Sequence, residues 1–328
     1  MTITNKNVLV LGASGGIGGE LTQALLRKGW MIRALTRDPD KAARGRDPAI
    51  QWVPGDAMCP EAVLKAARGT SVIVHAVNPP GYRDWDKLVL PMMDNTIAAA
   101  KAVGARVVLP GTVYNYGPDA FPALTEDKPQ RPMTRKGKIR VEMERRLKDS
   151  GVPALVVRAG DFFGGLGGGN NWLSQGWVKP GRPLHAITNP GNRGVGHAWA
   201  YLPDLAETMA ELIEKTPAGG FETYHFAGHF DADGTQMVAA IRNAVGRPLK
   251  VKAFPWLLIT LLSPMVVLFR EMLEMRYLWQ QTLRLENAKI IQTLGREPRT
   301  PLDEAIKKTL RDLRCIEERP APELTVFF

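Results

Sequence analysis

Cysteine is nearly absent from this chain. Cys59 and Cys315 are the only two in 328 residues, with neither CxxC spacing nor a histidine at zinc-finger distance. A disulfide-stapled scaffold and a structural zinc site are thereby excluded, and a reducing compartment fits best. The five histidines, His75, His185, His197, His225 and His229, form no HExxH and no closely spaced triad, so no metal is assigned. Long hydrophobic runs are also missing. The nearest approach, Phe254 to Phe269, falls short of the roughly 20 apolar residues a span requires and carries Pro255 and Pro264, so no membrane span is expected. The opening MTITNKNVLVLG lacks a charged leader, a long apolar stretch and a cleavage site, which makes the cytoplasm the expected location. No basic run is interleaved with aromatics, so nucleic acid is not an expected partner. Repeats and charge blocks are lacking too.

What is present is ordinary globular material. Hydrophobic residues make up 45% and charged residues 23%, enough for a sizeable buried core. Lys and Arg total 43 against 33 Asp and Glu, and the resulting +10 favours an anionic cofactor or substrate. Apolar strand-like runs at 7–12, 31–36, 50–55, 71–77, 105–111 and 153–160 alternate with helical patterns such as 87–104 and 137–151. Nearly continuous apolar strands are those covered on both faces. The alternation predicts an α/β fold with a doubly wound parallel (Rossmann) sheet. The expected core runs over 5–165 and is rejoined by about 195–228. Residues 166–194 and 229–328 form a smaller, mainly helical C-terminal lobe for substrate, after a loop in which five of positions 164–169 are glycine.

Gly12, Ala13, Ser14, Gly15, Gly16, Ile17 and Gly18 follow the first strand and open the first helix, the context in which a glycine pattern points to a dinucleotide. The chain must turn at Gly12, let pyrophosphate approach near Gly15 and pack helix on strand at Gly18, with free N–H groups at the helix start. Thr36 and Arg37 at the end of the second strand suit the 2′-phosphate of NADP, since a guanidinium grips phosphate bidentately. Asp38 comes one residue later and leaves NAD open. Gly55-Asp56, with Ala57 beyond, is expected near the adenine amino group, and Ala76, Val77 and Asn78 along the adenosine side of the cofactor.

These residues resemble the extended and atypical branches of the short-chain dehydrogenase/reductase superfamily, the NAD(P)-dependent epimerase/dehydratase type, from about residue 5 to 230 and more loosely beyond. Thr112, in Gly111-Thr112-Val-Tyr114-Asn-Tyr116-Gly117, matches the position of that family's catalytic Ser/Thr hydroxyl. The segment from Arg158 to Phe163 and Gly164 is similar to its turn beside the nicotinamide, and His197 to Ala206 to the stretch where the chain returns to the core. The Tyr-x-x-x-Lys pair departs from the pattern. Counting four back from Glu142 gives Lys138 and four more gives Thr134, so the tyrosine is absent. Lys136 is the rival lysine; 136 and 138 lie about 200° apart on a helix, so only one can face the cofactor, and Lys138 is preferred. Proton supply then falls to Tyr114, Tyr116, the lysine itself or a water.

The apolar stretch 254–279, rich in Met and aromatics, either lines a substrate pocket as a lid or forms the lobe's own core or a homodimer face. The expected function is an NADP-dependent oxidoreductase acting on a carbonyl, alkene or alcohol of a small, fairly apolar molecule. A nucleotide-sugar epimerase or dehydratase, and a non-catalytic dinucleotide-sensing regulator, are the alternatives.

Overall fold

The computed structural model describes residues 5–79, 84–166 and 171–316. Gly167 to Gly169 of the glycine run, and Asn170, lie outside them. The first half runs β1 (Asn7–Leu11), α1 (Gly16–Arg27), β2 (Met31–Thr36), α2 (Pro39–Ala43), β3 (Gln51–Pro54), α3 (Pro60–Ala67), β4 (Val72–His75), α4 (Trp85–Val103), β5 (Arg106–Thr112), β6 (Ala123–Leu124), α5 (Arg135–Asp149) and β7 (Ala154–Ala159). There follow β8 (Asp161–Phe163), β9 (Ala186–Asn189), β10 (His197–Tyr201), α6 (Leu202–Lys215), β11 (Phe221–Phe226), β12 (His229–Asp231) and α7 (Gln236–Val245). The chain continues through β13 (Lys250–Ala253), α8 (Trp256–Leu262), α9 (Val267–Glu274), β14 (Arg284–Leu285), α10 (Ala288–Leu294) and α11 (Leu302–Asp312).

Seven strands form one parallel sheet in the order β11-β7-β5-β4-β1-β2-β3. Chain order reverses between β1 and β4, and a crevice opens at such a switch point beyond the carboxyl ends of the strands. Strand β1 shows why the run NVLVL must be apolar throughout. Its side chains alternate between faces: Val8 and Val10 join Leu21, Leu25, Leu205 and Met209 of α1 and α6, while Leu9 and Leu11 join Val63, Met93 and Ile97 of α3 and α4. Burying each such side chain is worth about 1.5–3 kcal/mol, so a carboxylate at Val10 would break the layer.

The second lobe has its own core, in which Phe163, Trp177 and Trp199 meet Met237 of α7 and Ile306 and Leu310 of α11. Short strands accompany its helices: β8 and β12 flank β10, and β13 pairs with β9. The β6–β14 pair and a cluster around Tyr116, Leu124 and Tyr277 join the lobe to the sheet.

Candidate functional site

Two close approaches build the turn from β1 to α1. Gly12 has φ of +93°, and a Cβ there would lie 2.5 Å from the carbonyl oxygen of Ala76. A Cβ on Gly18 would lie 2.2 Å from the Gly12 carbonyl oxygen, so helix and strand meet at this spacing only through glycine. Gly15 caps α1 with no side-chain bond, and no acidic residue occupies the first turn, which leaves the helix-start N–H groups and dipole for an anion. Ser14, Gly15, Gly16 and Ile17 line a cleft together with Ala76, Val77 and Asn78, while Ala13 and Gly18 are packed behind it. This cradle fits the pyrophosphate of a dinucleotide.

At the far end the cleft is lined by Thr36, Arg37, Asp56 and Ala57. Arg37 is exposed. Asp38 is committed elsewhere: its Oδ1 accepts from the Lys41 N–H at 3.0 Å and caps α2. Asp56 Oδ1 similarly accepts from Met58 N at 2.9 Å. A second guanidinium, Arg46, donates to the Ser14 carbonyl oxygen at 3.3 Å. Sequence reading missed Arg46 because it lies in the irregular segment after α2, where no motif spacing reaches.

Beyond Ile17, Asn78 and Phe162 the cleft continues into an inner cavity. Thr112 at the end of β5 lines it, as do Tyr114, Gly160, Asp161, Trp85 and Trp172. Helix α5 contributes Lys136 and Arg140, both buried, whereas Lys138 is exposed and lines nothing. The structure thus sets Lys136, the rival lysine, on the cavity in place of the preferred Lys138. Thr134, counted onto the missing tyrosine, caps α5 by accepting from Gly137 N at 3.0 Å. Glu142 lies toward the surface, where hydrogen bonds from Arg145 and Arg146 hold its carboxyl down to about 2. The buried glutamate is Glu144; four back from it stands Arg140, and four more back Lys136.

Three other expected site residues belong to the core instead. Arg158 is buried in an ion pair with Glu144 (Nη2 to Oε2, 2.6 Å) and donates to the Tyr116 hydroxyl at 2.6 Å. Tyr116 also meets His225 Nε2 at 2.8 Å, and burial pushes its hydroxyl up to about 12. Neither lines the cavity or the cleft, unlike the proton-donor and cofactor-side positions expected for them. Phe163 is fully buried against Trp199, Tyr201 and His229, and its neighbour Phe162 faces the cavity. The exchange of Phe163 for Phe162 follows from the two-residue period of strand β8, which sends neighbours to opposite faces.

Charge in the cavity is balanced. Lys136 Nζ pairs with the Glu271 carboxylate, lies 3.5 Å from Glu274 Oε2 and donates to the Glu271 carbonyl oxygen at 3.0 Å. A buried ammonium needs such counter-charge. Arg140 Nη2 donates to Asn78 Oδ1 at 3.0 Å and its guanidinium lies over the Trp85 ring. His75 also lines the cavity. Thr96 gives its hydroxyl proton to the Met92 carbonyl, so His75 Nδ1, 2.8 Å from that hydroxyl, carries the hydrogen and Nε2 remains an acceptor. Burial, reinforced by Arg140, lowers His75 to about 3 and keeps it neutral. Asp161 Oδ2 meets His197 Nε2 at 2.9 Å, with the imidazole stacked on Trp279. From 254–279, Leu268, Met272 and Met275 line the cavity, whereas Tyr277, Leu278 and Trp279 pack into the lobe. Among the described residues no group of His, Cys, Asp and Glu could hold a metal ion.

The profile of the NAD(P)H-binding family matches residues 12–178, about half of the chain. A 3-diazoavenalumate denitrifying reductase from a Streptomyces species is 31% identical over 175 residues, 48% of this chain and 56% of that protein. The NAD(P)H azoreductase of Xenophilus azovorans is 25% identical over 248 residues, 75% of this chain and 76% of that one. The matches to the first of these and to a photosystem II assembly factor of Cyanophora paradoxa span about half the length of those curated relatives. Among solved structures, UDP-glucose 4-epimerase from Bifidobacterium longum, in complex with NAD+ and UDP, superposes with a TM-score of 0.71 at 15% identity, covering 94% of this chain and 100% of that one. That likeness establishes the fold. The chain belongs to the NAD(P)H-binding family, with the architecture of the extended short-chain dehydrogenase/reductases.

Proposed function

We propose that the protein is an NADPH-dependent reductase of a small, largely apolar molecule bearing a polarised C=O, C=C or N=N bond, with Lys136 as its proton donor. The observation that carries this reading is an ammonium, 2% exposed, lining the cavity that continues the dinucleotide cleft. The preference for NADPH rests on Arg37 at the ribose end and on Asp38 being consumed as a helix cap.

In this reading α1 and its glycine turn would hold the pyrophosphate, Thr36 and Arg37 the adenosine phosphate, and Arg140 the nicotinamide side, with Asn78, expected on the adenosine side, standing where cleft and inner cavity meet. A nicotinamide held there would supply hydride chemistry for one atom of the substrate double bond. Lys136 transfers an ammonium proton to the other atom, so the bond is reduced by two electrons and the lysine is left neutral until solvent restores its proton. Thr112 supplies a hydroxyl that orients the polar atom, and Trp85, Trp172 and Met272 exclude water. The relatives named as diazo and azo reductases extend the substrate range under test to nitrogen–nitrogen bonds.

The test is NADPH consumption against a panel of aldehydes, enones, azo and diazo compounds, with Lys136→Met alongside. Turnover by the native protein and its loss in a variant that still binds NADPH are expected. Full activity in K136M overturns the assignment. Cofactor binding without any turnover favours a sensor, and product without net oxidation an epimerase.

A further inference from the structure

Leu268 apart, the outer face of the α8–α9 hairpin lies outside the site, yet it carries more than half of the exposed large hydrophobic residues among the described residues. Of the thirteen large hydrophobic residues exposed among the described residues, seven fall between Leu257 and Leu268. Leu257 is 77% exposed, Leu261 68% and Met265 83%, with Leu258, Val266 and Val267 beside them in sequence. An apolar cluster this concentrated marks an interaction surface. The hairpin is anchored from beneath: Ile259 is buried, and Trp256 donates through Nε1 to the Pro190 carbonyl oxygen at 2.9 Å.

The charges of the segment select the occupant. From Lys250 to Arg270 there is no Asp or Glu, and the only charged side chains, Lys250, Lys252 and Arg270, are exposed at its two ends. We propose that α8–α9 is a monotopic membrane-docking element that sinks its apolar face into the interface of a bilayer bearing anionic headgroups, with the three cations at headgroup level. No helix among the described residues is long and apolar enough to cross a membrane, so the contact is superficial. A second copy on this face is disfavoured, because symmetric pairing sets Lys250, Lys252 and Arg270 of both copies together without a carboxylate in the segment to answer them. The hairpin also reaches the cavity: Leu268 is exposed and at the same time lines it, followed by Met272 on the same helix. An amphiphilic substrate drawn from the bilayer would therefore enter the cavity past Leu268, a corollary that rests on the reductase reading.

The test is flotation of the full chain with phosphatidylcholine vesicles, with and without phosphatidylglycerol. Co-flotation with the anionic vesicles, weakened by salt, is expected. Leu257→Glu with Leu261→Glu should abolish it, and Lys250→Gln with Lys252→Gln should weaken it roughly thirtyfold. Unchanged circular dichroism, NADPH binding and turnover of a water-soluble substrate in L257E/L261E separate lost docking from lost folding or lost chemistry. Docking is overturned if the native chain ignores both vesicle types, if the glutamate variant floats equally well, or if the native chain is a dimer in solution that this variant splits.

Discussion

Lys136 and Arg140 stand one helical turn apart on α5 and line the same cavity, each with an assigned partner: the Glu271 carboxylate for Lys136, the Asn78 amide oxygen for Arg140. Residues four apart share a helix face, which is how an ammonium and a guanidinium come to address one small volume. The carboxylates that balance the lysine belong to the second lobe, on α9. The state of that lysine is thus coupled to how α9 sits over the cavity.

Lys136→Met is expected to lower kcat by roughly 10²–10⁴, the usual worth of a general acid, while Lys138→Met changes it less than about twofold. Steady-state kinetics at saturating NADPH reads the difference. Equal losses in the two variants would point to electrostatics of the whole helix.

Arg37→Ala is expected to raise KM for NADPH by about 10- to 100-fold and to leave NADH nearly unaffected, since a charge-assisted hydrogen bond is worth about 1.5–3 kcal/mol. A parallel loss for both coenzymes would remove the phosphate role from this guanidinium.

Glu144→Gln is expected to destabilise the fold by about 3–5 kcal/mol, because it leaves Arg158 buried without its counter-charge. Urea unfolding measures this, and cofactor affinity in the folded variant should be unchanged. Loss of affinity at native stability would return the pair to the site.

Acid should weaken the fold ahead of general carboxylate titration. His75 and His225 are held neutral by burial, with arginine neighbours adding to the effect, and both are lowered to about 3. Burial also lowers His229, to about 4. A histidine depressed in the folded state costs nothing above its unfolded value near 6.5. Below that the unfolded chain binds the proton, and stability falls with pH until the folded value is reached. At pH 5 each contributes a loss of about 2 kcal/mol. Denaturation midpoints from pH 7.5 to 5 should fall continuously; a flat profile would mean that these rings accept protons in place.

Much of the fold was legible because burial on both faces writes itself into strands such as NVLVL and ALVVRA as unbroken apolar runs. The lobe's short strands were not, since β8, β9, β12, β13 and β14 have only two to four residues, too few to display a period. The cofactor turn was readable for a local reason: one close approach falls within seven residues, and the Cβ of any other residue at Gly18 would collide with Gly12. The reacting end was harder. Glu142 and Glu144 are equivalent as letters, and only packing reveals that Arg158 buries one while Arg145 and Arg146 hold the other near solvent.

Sequence alone determined the doubly wound sheet and the dinucleotide turn, because the signals of both are local: an unbroken apolar run marks each doubly covered strand, and glycine spacing marks the turn, although the strands they pair lie tens of residues apart. Tertiary structure decided which lysine faces the cavity, that Tyr116 and Arg158 are interior, and that Glu271 balances Lys136. Those outcomes depend on the rotation of α5 and on α9 packing against it from more than a hundred residues away, a relation that no local pattern encodes.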